Sequence, residues 1–301
     1  MAEVSVMSRL NKTSIRVTDI ANQFWCERQM ELNCLHGTKF TKEMAKGRSI
    51  HAELKDEVYV PLTVETVTYK DYLYKAAYEN VMSLHSLKAD GMCREVRVFG
   101  SINGYKVSGQ IDEMRIKDGK VQVVERKTTQ AGRQITGSYS KTHAVQVMVY
   151  RKLMEDIRSK RYAYENFAIN YGVGPGKDGL SEEFKRGLDA IGIHGITQST
   201  YEMYKKMFSE IYTMPELSND LEIAYVDRAS GKQIGSLDIP YTEEAVNKDL
   251  TWAMGFWLGK RESQPVPESE VRKCGFCKFF GKECTVWGGQ KTIGGGYAKG
   301  N

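Results

Sequence analysis

Gly109-Gln110-Ile111-Asp112-Glu113, then a turn at Asp118-Gly119, then Val121-Gln122-Val123-Val124-Glu125-Arg126-Lys127: the reading of this stretch decides the fold. Alternate residues of a strand point to one face. Val121, Val123, Glu125 and Lys127 therefore share a face that runs from apolar to acidic to basic. Asp-Gly between two such runs is a strong hairpin turn, so the strands pair and Asp112 comes beside Glu125. Two carboxylates and an ammonium on adjacent strands suit Mg²⁺ or Mn²⁺, with water positions left open for a substrate phosphate. The lysine can hold an attacking water and offset charge developing on phosphorus oxygens. An E-x-K triplet by itself is far more often a surface Glu/Lys pair; the upstream Asp112 is what brings the two readings level.

Working outward, period-two patterning predicts strands over 94–99, 105–116 and 120–128, with Asn103-Gly104 as the first hairpin turn. A further hairpin is predicted from Leu221–Asp227 and Lys232–Ile239 around Ser230-Gly231, and a short buried strand from Phe167–Tyr171. Helical spacing predicts helices over 41–58, 70–88, 143–159, 180–193, 198–214 and 242–260, with a hinge at Asp90-Gly91. Thr18-Asp19 is read as the N-cap of a helix that carries Cys26. Strands interleaved with helices give an α/β class. No repeat or linker interrupts the chain, so one domain over 1–287 is expected, followed by a Gly- and Lys-rich tail, 288–301, that lacks the apolar content to fold. His51 lies on the apolar face of its helix, where a histidine is more often a hydrogen-bonded core residue than a ligand. Gln146 and Tyr150, four apart, share a helix face, and ordinary helix surface is the default for such a pair.

Lys+Arg exceeds Asp+Glu by 43 to 38, a formal charge of +5, which permits a local basic groove without demanding one. Within 70–88, Lys70, Lys75 and Lys88 interleave with Tyr72, Tyr74 and Tyr78, and Tyr69 precedes them. Cations among aromatics suit a track for a single nucleic-acid strand, and tyrosines packed on the core explain the pattern equally well. No stretch is apolar and long enough to span a bilayer. Residues 1–16 lack the apolar centre of a signal peptide; Arg9, Lys12 and Arg16 give a faint organelle-leader character. An intracellular setting is expected: cytoplasm, nucleus or mitochondrion.

Six cysteines without a secretory signal point to metal binding in a reducing compartment rather than to disulfides. Cys274, Cys277 and Cys284 form a C-x2-C-x6-C cluster, and Cys26 in Trp25-Cys26-Glu27 is the best candidate for a fourth ligand. Four thiolates accept a soft metal or an iron–sulfur cluster, with zinc the rival. Such a site closes a very long loop, which makes a structural staple the simplest role. Cys34 and Cys93 read as core thiols.

Taken together, Gly47-Arg48-Ser49-Ile50-His51, Gly-Gln-Ile-Asp112, Glu125-Arg126-Lys127 and Gln146 to Tyr150 resemble, in order, the motifs of the RecB-like PD-(D/E)XK nucleases. One cysteine before the histidine and three at the end resemble the iron–sulfur subgroup, and the chain is most similar to the exonuclease V family from residue 15 to 287. The resemblance implies a restriction-endonuclease-like core, a mixed sheet flanked by helices, with helical insertions and a cluster that joins the two ends. It implies His51, Asp112 and Glu125 as metal ligands, Lys127 as the water-positioning residue, and Gln146 and Tyr150 lining the site. It also implies a [4Fe–4S] cluster on Cys26, Cys274, Cys277 and Cys284. The implied function is a monomeric, Mg²⁺- or Mn²⁺-dependent exonuclease on single-stranded DNA, working with a single-strand-binding protein or with repair or replication machinery. A CRISPR-associated RecB-like nuclease is the alternative within the fold, and a non-catalytic single-strand-binding iron–sulfur protein the alternative outside it. The chain departs from the family pattern at Arg126, expected to face away from the metal into a salt bridge, and in the last cysteine gap, where Gly281-Lys282 is the expected bulge.

Overall fold

A computed structural model describes residues 5–38, 45–47, 49, 62–130, 138–175, 179–193 and 199–287. His51 and the 288–301 tail lie outside the described residues. All three predicted hairpins are present. Strands β2 (Met92–Ile102), β3 (Tyr105–Lys117) and β4 (Lys120–Thr129) form an antiparallel meander. Its turns place Asn103-Gly104 and Asp118-Gly119 at positive φ, which two-residue hairpins require. A helical crossover then returns the chain to β5 (Asp220–Asp227), which runs parallel to β4, and β6 (Gln233–Pro240) completes the edge. The result is a mixed sheet. The two-residue β1 (Ile15–Arg16) lies parallel to β3 at Val107 and Ser108.

That short strand matters for the site. On one edge of β3, β1 pairs at 107–108 and β4 pairs from 113 onward. Between them, 109–112 has no neighbouring strand on that edge among the described residues, and the sheet opens there.

Helices flank the sheet. After α1 (Val6–Arg9), α2 (Val17–His36) leads from β1, and α3 (Tyr69–Asp90) packs along β2. In the crossover, α4 (Ser138–Arg158) packs on the sheet and on α2, followed by α5 (Tyr164–Tyr171), α6 (Glu182–Ala190) and α7 (Thr200–Tyr212). Helix α8 (Glu243–Trp257) and a 3₁₀ segment (Glu268–Phe276) close the chain. One continuous core runs from Val6 to Trp257 and includes Val107, Ile111, Val121, Val123, Val145, Val149 and Leu153.

Three expectations are corrected. Phe167–Tyr171 is not a strand but the end of α5: Tyr164, Phe167 and Tyr171 fall at i, i+3 and i+7 on the core-facing side, while Ile169 points to solvent. A short apolar run cannot by itself separate a buried strand from a buried helix. Asp90-Gly91 is not a hinge; Gly91 is the left-handed cap of α3, and β2 starts at the next residue. Helix α2 begins at Val17, and Asp19 caps it by accepting the Arg16 N–H at 3.1 Å. Helix α2 also breaks at Cys26, whose backbone is extended.

Candidate active site

The carboxylates sit where β3 and β4 part. Asp112 lies just beyond the last paired position, Glu113–Val124. Its Oδ2 accepts the backbone N–H of Arg126 at 2.7 Å, so a side chain replaces the ladder bond that the diverging strands lack. Glu125, 1% exposed, projects beside it from β4. The Lys127 Nζ lies 2.6 Å from Glu125 Oε1 and donates to Gln146 Oε1 at 3.0 Å. Gln146 in turn donates through Nε2 to Glu125 Oε1 at 2.7 Å and to Tyr150 Oη at 3.2 Å. Helix α4 thus presents Gln146 and Tyr150 on one face to the acidic end of the sheet. Gly109 allows this approach: a Cβ there would lie 2.5 Å from Tyr150 Cε1 and 3.0 Å from Val17 Cγ2.

Arg126 points the other way, as alternation demands, and its Nη1 pairs with Glu113 at 2.9 Å. The expected salt bridge is present.

Burial alone would push the Lys127 pKa down, but Glu125 and Asp112 outweigh it and hold the lysine above its ordinary value. Lys127 is therefore an ammonium at neutral pH. Burial raises the Tyr150 phenol far above its ordinary value, so it acts as a neutral hydrogen-bonding group. His143 lies near this cation; burial and then the Lys127 charge push it down to about 3, so it stays neutral.

Asp112, Glu125, Lys127, Gln146 and Tyr150 line a cleft of about 890 Å³. Its other walls hold residues that sequence reading did not assign to the site: Glu95, Arg97, Tyr171, Tyr204 and Arg228. Glu95 interrupts β2 with φ of 56° between the pairs Arg94–Glu113 and Val96–Ile111. A non-glycine residue in this region costs about 1–3 kcal/mol, and such residues concentrate at functional sites. The expected aromatic track divides in two. Tyr69 and Tyr72 line the cleft, whereas Tyr74 is buried against Phe184 and Tyr78 packs on the core. Lys75 is spent on the Val64 carbonyl and Lys88 on Glu210.

Away from the cleft, Cys26, Cys274, Cys277 and Cys284 line a single small cavity walled by Trp25, Leu32, Val266, Phe280 and Trp287. Cys26 stands at the break in α2, where its Sγ accepts the Gln29 N–H at 3.4 Å. The long last gap is absorbed by a tight turn: Gly281, at φ 72°, donates to the Cys284 carbonyl, and Cys284 donates to Phe279. Burial raises the thiols of Cys26 and Cys274 above the ordinary range. Of the other two cysteines, Cys93 is buried and Cys34 half-buried beside Met30. A polar network holds the two chain ends together around this cavity. Glu27 accepts Arg261, Gln23 and the Gln264 N–H; Glu31 accepts Arg9, Arg28 and Ser263.

Among the described residues, no three His, Cys, Asp or Glu side chains are gathered to hold one metal ion. The expected third member at the carboxylates, His51, lies outside them.

The sequence profile described as "Exonuclease V - a 5' deoxyribonuclease" matches residues 5–120 and 193–287. The chain belongs to the exonuclease V family. It is accordingly a deoxyribonuclease. The matched spans include Cys26, Asp112 and the C-terminal cysteines; Glu125, Lys127, Gln146 and Tyr150 fall between them. Among solved structures, an Eubacterium rectale protein assigned as an exonuclease is similar at 12% identity, covering 95% of this chain and 96% of that one, with a TM-score of 0.40. The crystal structure of SSO0001 is similar at 13% identity, covering 90% and 88%, with a TM-score of 0.36. No helix among the described residues is long and apolar enough to cross a membrane.

Proposed function

We propose that this exonuclease V family member hydrolyses single-stranded DNA from a free end, in DNA repair or replication, with a divalent cation at Asp112, Glu125 and His51. The observation that carries the reading is the meeting of Asp112, Glu125, Lys127 and Gln146 at the open edge of β3, within a cleft that also carries exposed aromatic rings. Hard carboxylate oxygens on adjacent strands suit Mg²⁺ or Mn²⁺. When bound, such a cation polarises the phosphodiester and lowers the pKa of a bound water. Lys127, kept charged, orients the attacking water and offsets charge on the phosphoryl oxygens. Gln146 fixes both Lys127 and Glu125, and Tyr150 fixes Gln146. The restriction-endonuclease-like assignment rests on this placement, with the acidic pair at the end of a hairpin and α4 behind it.

In the same reading, Cys26, Cys274, Cys277 and Cys284 hold a [4Fe–4S] cluster. The convergence of four cysteines on one apolar cavity fits such a group. Zinc is the rival group for four cysteine thiolates. The cluster would link the two chain ends rather than enter the chemistry.

The test uses end-labelled linear strands and covalently closed circles of the same sequence, with and without Mg²⁺. Linear strands should be degraded only with Mg²⁺, circles should resist, and Asp112→Ala should lower the rate by at least about 10³-fold, since ligand loss removes Lewis acid and activated water together. Undiminished cleavage by a folded Asp112→Ala protein would overturn the site. Efficient cutting of circles would make the enzyme an endonuclease.

A further inference from the structure

The part of the cleft lined by α3 and β2 is also built. Tyr69 and Tyr72 sit three residues apart at the start of α3, with ring centroids 6.2 Å apart and planes 22° from parallel. They remain 62% and 43% exposed, while Tyr74 on the same helix is buried. The helix start that carries them is fixed. Thr68 Oγ1 accepts the Asp71 N–H, and Asp71 accepts Thr68, Val67 and both the N–H and hydroxyl of Ser181.

Arg97 on β2 faces this pair. Its guanidinium carbon lies 5.3 Å from the Tyr72 ring centroid, and Nη1 donates to Tyr72 Oη at 2.8 Å. Buried Asn80 holds the Arg97 backbone at both its N–H and its carbonyl. Among the described residues Arg97 has no carboxylate partner, although Arg94, Arg115 and Arg126 all do. Tyr204 also lines the cleft, and among the described residues its buried hydroxyl has no hydrogen-bond partner.

We propose that Tyr69, Tyr72 and Arg97 form a nucleotide subsite beside the scissile position, with a base stacked on the tyrosine pair and its phosphate on Arg97. The subsite rests on the reading of the cleft as the nuclease site. β2 lies two strands from β4, so Arg97 stands on the order of 10 Å from Glu125 along the sheet. That spacing suits a flanking nucleotide rather than the one being cleaved. Only an unpaired base offers a free face to such a platform, so the subsite favours single strands over duplex.

The experiment measures strand binding by fluorescence anisotropy in divalent-free buffer, where cleavage plays no part. An oligonucleotide series moves one abasic position along the strand. The wild-type protein should lose about 5- to 100-fold in affinity when the abasic position occupies the subsite, and little elsewhere. The Tyr69→Ala/Tyr72→Ala protein should bind the intact strand that much more weakly and show a flat abasic profile. Tyr69→Phe/Tyr72→Phe should restore the profile, because stacking needs the ring and not the hydroxyl. Arg97→Ala should reduce the salt dependence of binding by about one phosphate contact. A flat profile in the wild type, or a position dependence that survives in the double alanine protein, overturns the subsite. These outcomes are independent of whether Asp112→Ala abolishes cleavage, so failure here and failure of the nuclease-site reading are told apart.

Discussion

At the open edge of β3, the charged groups come from one hairpin and the helix that follows it; around the cysteine cavity, they come from opposite ends of the chain. Lys127, Glu125 and Gln146 meet because strand register and helix phase bring them together. Cys26 meets Cys274 because Glu27 and Glu31 bind Arg261, Ser263 and Arg28, and because Lys273 donates to the Trp25 carbonyl across 248 positions of sequence. The two regions also balance charge differently. The sheet end keeps a lysine against its acids, whereas the cavity is apolar and its buried thiols resist ionisation. A site built on local register tolerates loss of one side chain without losing its frame. A site built on long-range ion pairs does not.

The largest effect expected from that contrast is Lys127→Ala. Its kcat should fall on the order of 10²–10³-fold, as for other single donors that meet transition-state charge. Melting temperature and visible absorbance should be those of the wild type. A bleached or destabilised Lys127→Ala protein would show that the two regions are coupled.

Next in size is Glu27→Ala, which removes a buried carboxylate from half-buried Arg261 and from Gln23 and the Gln264 N–H while keeping all four cysteines. Loss of charged hydrogen bonds of this kind costs about 2–3 kcal/mol, roughly 5 °C in melting temperature for a chain of this size. Cys274→Ser should abolish visible absorbance, whereas Cys34→Ser should not. Thermal melting and absorbance on the three proteins measure how much of the junction rests on the polar network and how much on the cysteines and the cluster proposed for them. An unchanged melting temperature in Glu27→Ala would assign the junction to the cysteines alone.

The smallest effect is on acid stability, at the start of α3. Burial tends to raise the Asp71 pKa, but hydrogen bonds from Ser181 and Thr68 outweigh it and hold the carboxyl below its ordinary 3.8. A depressed folded-state pKa stabilises the protein above the unfolded value, and that contribution is lost as pH falls through the folded one. Asp19, drawn down by Arg16 and Lys12 against its burial, adds in the same sense. Urea midpoints should therefore drop below about pH 4, and Asp71→Asn should flatten part of that decline. An identical acid limb in Asp71→Asn would remove Asp71 from the account.

Much of the carboxylate centre was legible because its cues are local. Asn103-Gly104 and Asp118-Gly119 specify hairpins, alternation places Glu125 and Lys127 on one face, and four-residue spacing aligns Gln146 with Tyr150. The detail that Asp112 bonds the Arg126 N–H was not legible, because it depends on β1 ending at Arg16 and leaving that edge of 109–112 without a strand among the described residues. Of the expected tyrosine track, periodicity identified the helix but could not say which rings pack inward; the burial of Tyr74 depends on Phe184, far along the chain.

From sequence alone follow the strands of the meander, the acidic–basic face of β4 and the C-x2-C-x6-C cluster, since each is written in turn chemistry and periodicity acting over a few residues. Tertiary structure alone decides that Cys26 reaches the other three cysteines, that Tyr164–Tyr171 is a helix, and that Arg97 and Tyr204 face the cleft. These depend on contacts between residues remote in sequence, where side-chain packing and buried ion pairs, rather than local backbone preference, set the outcome.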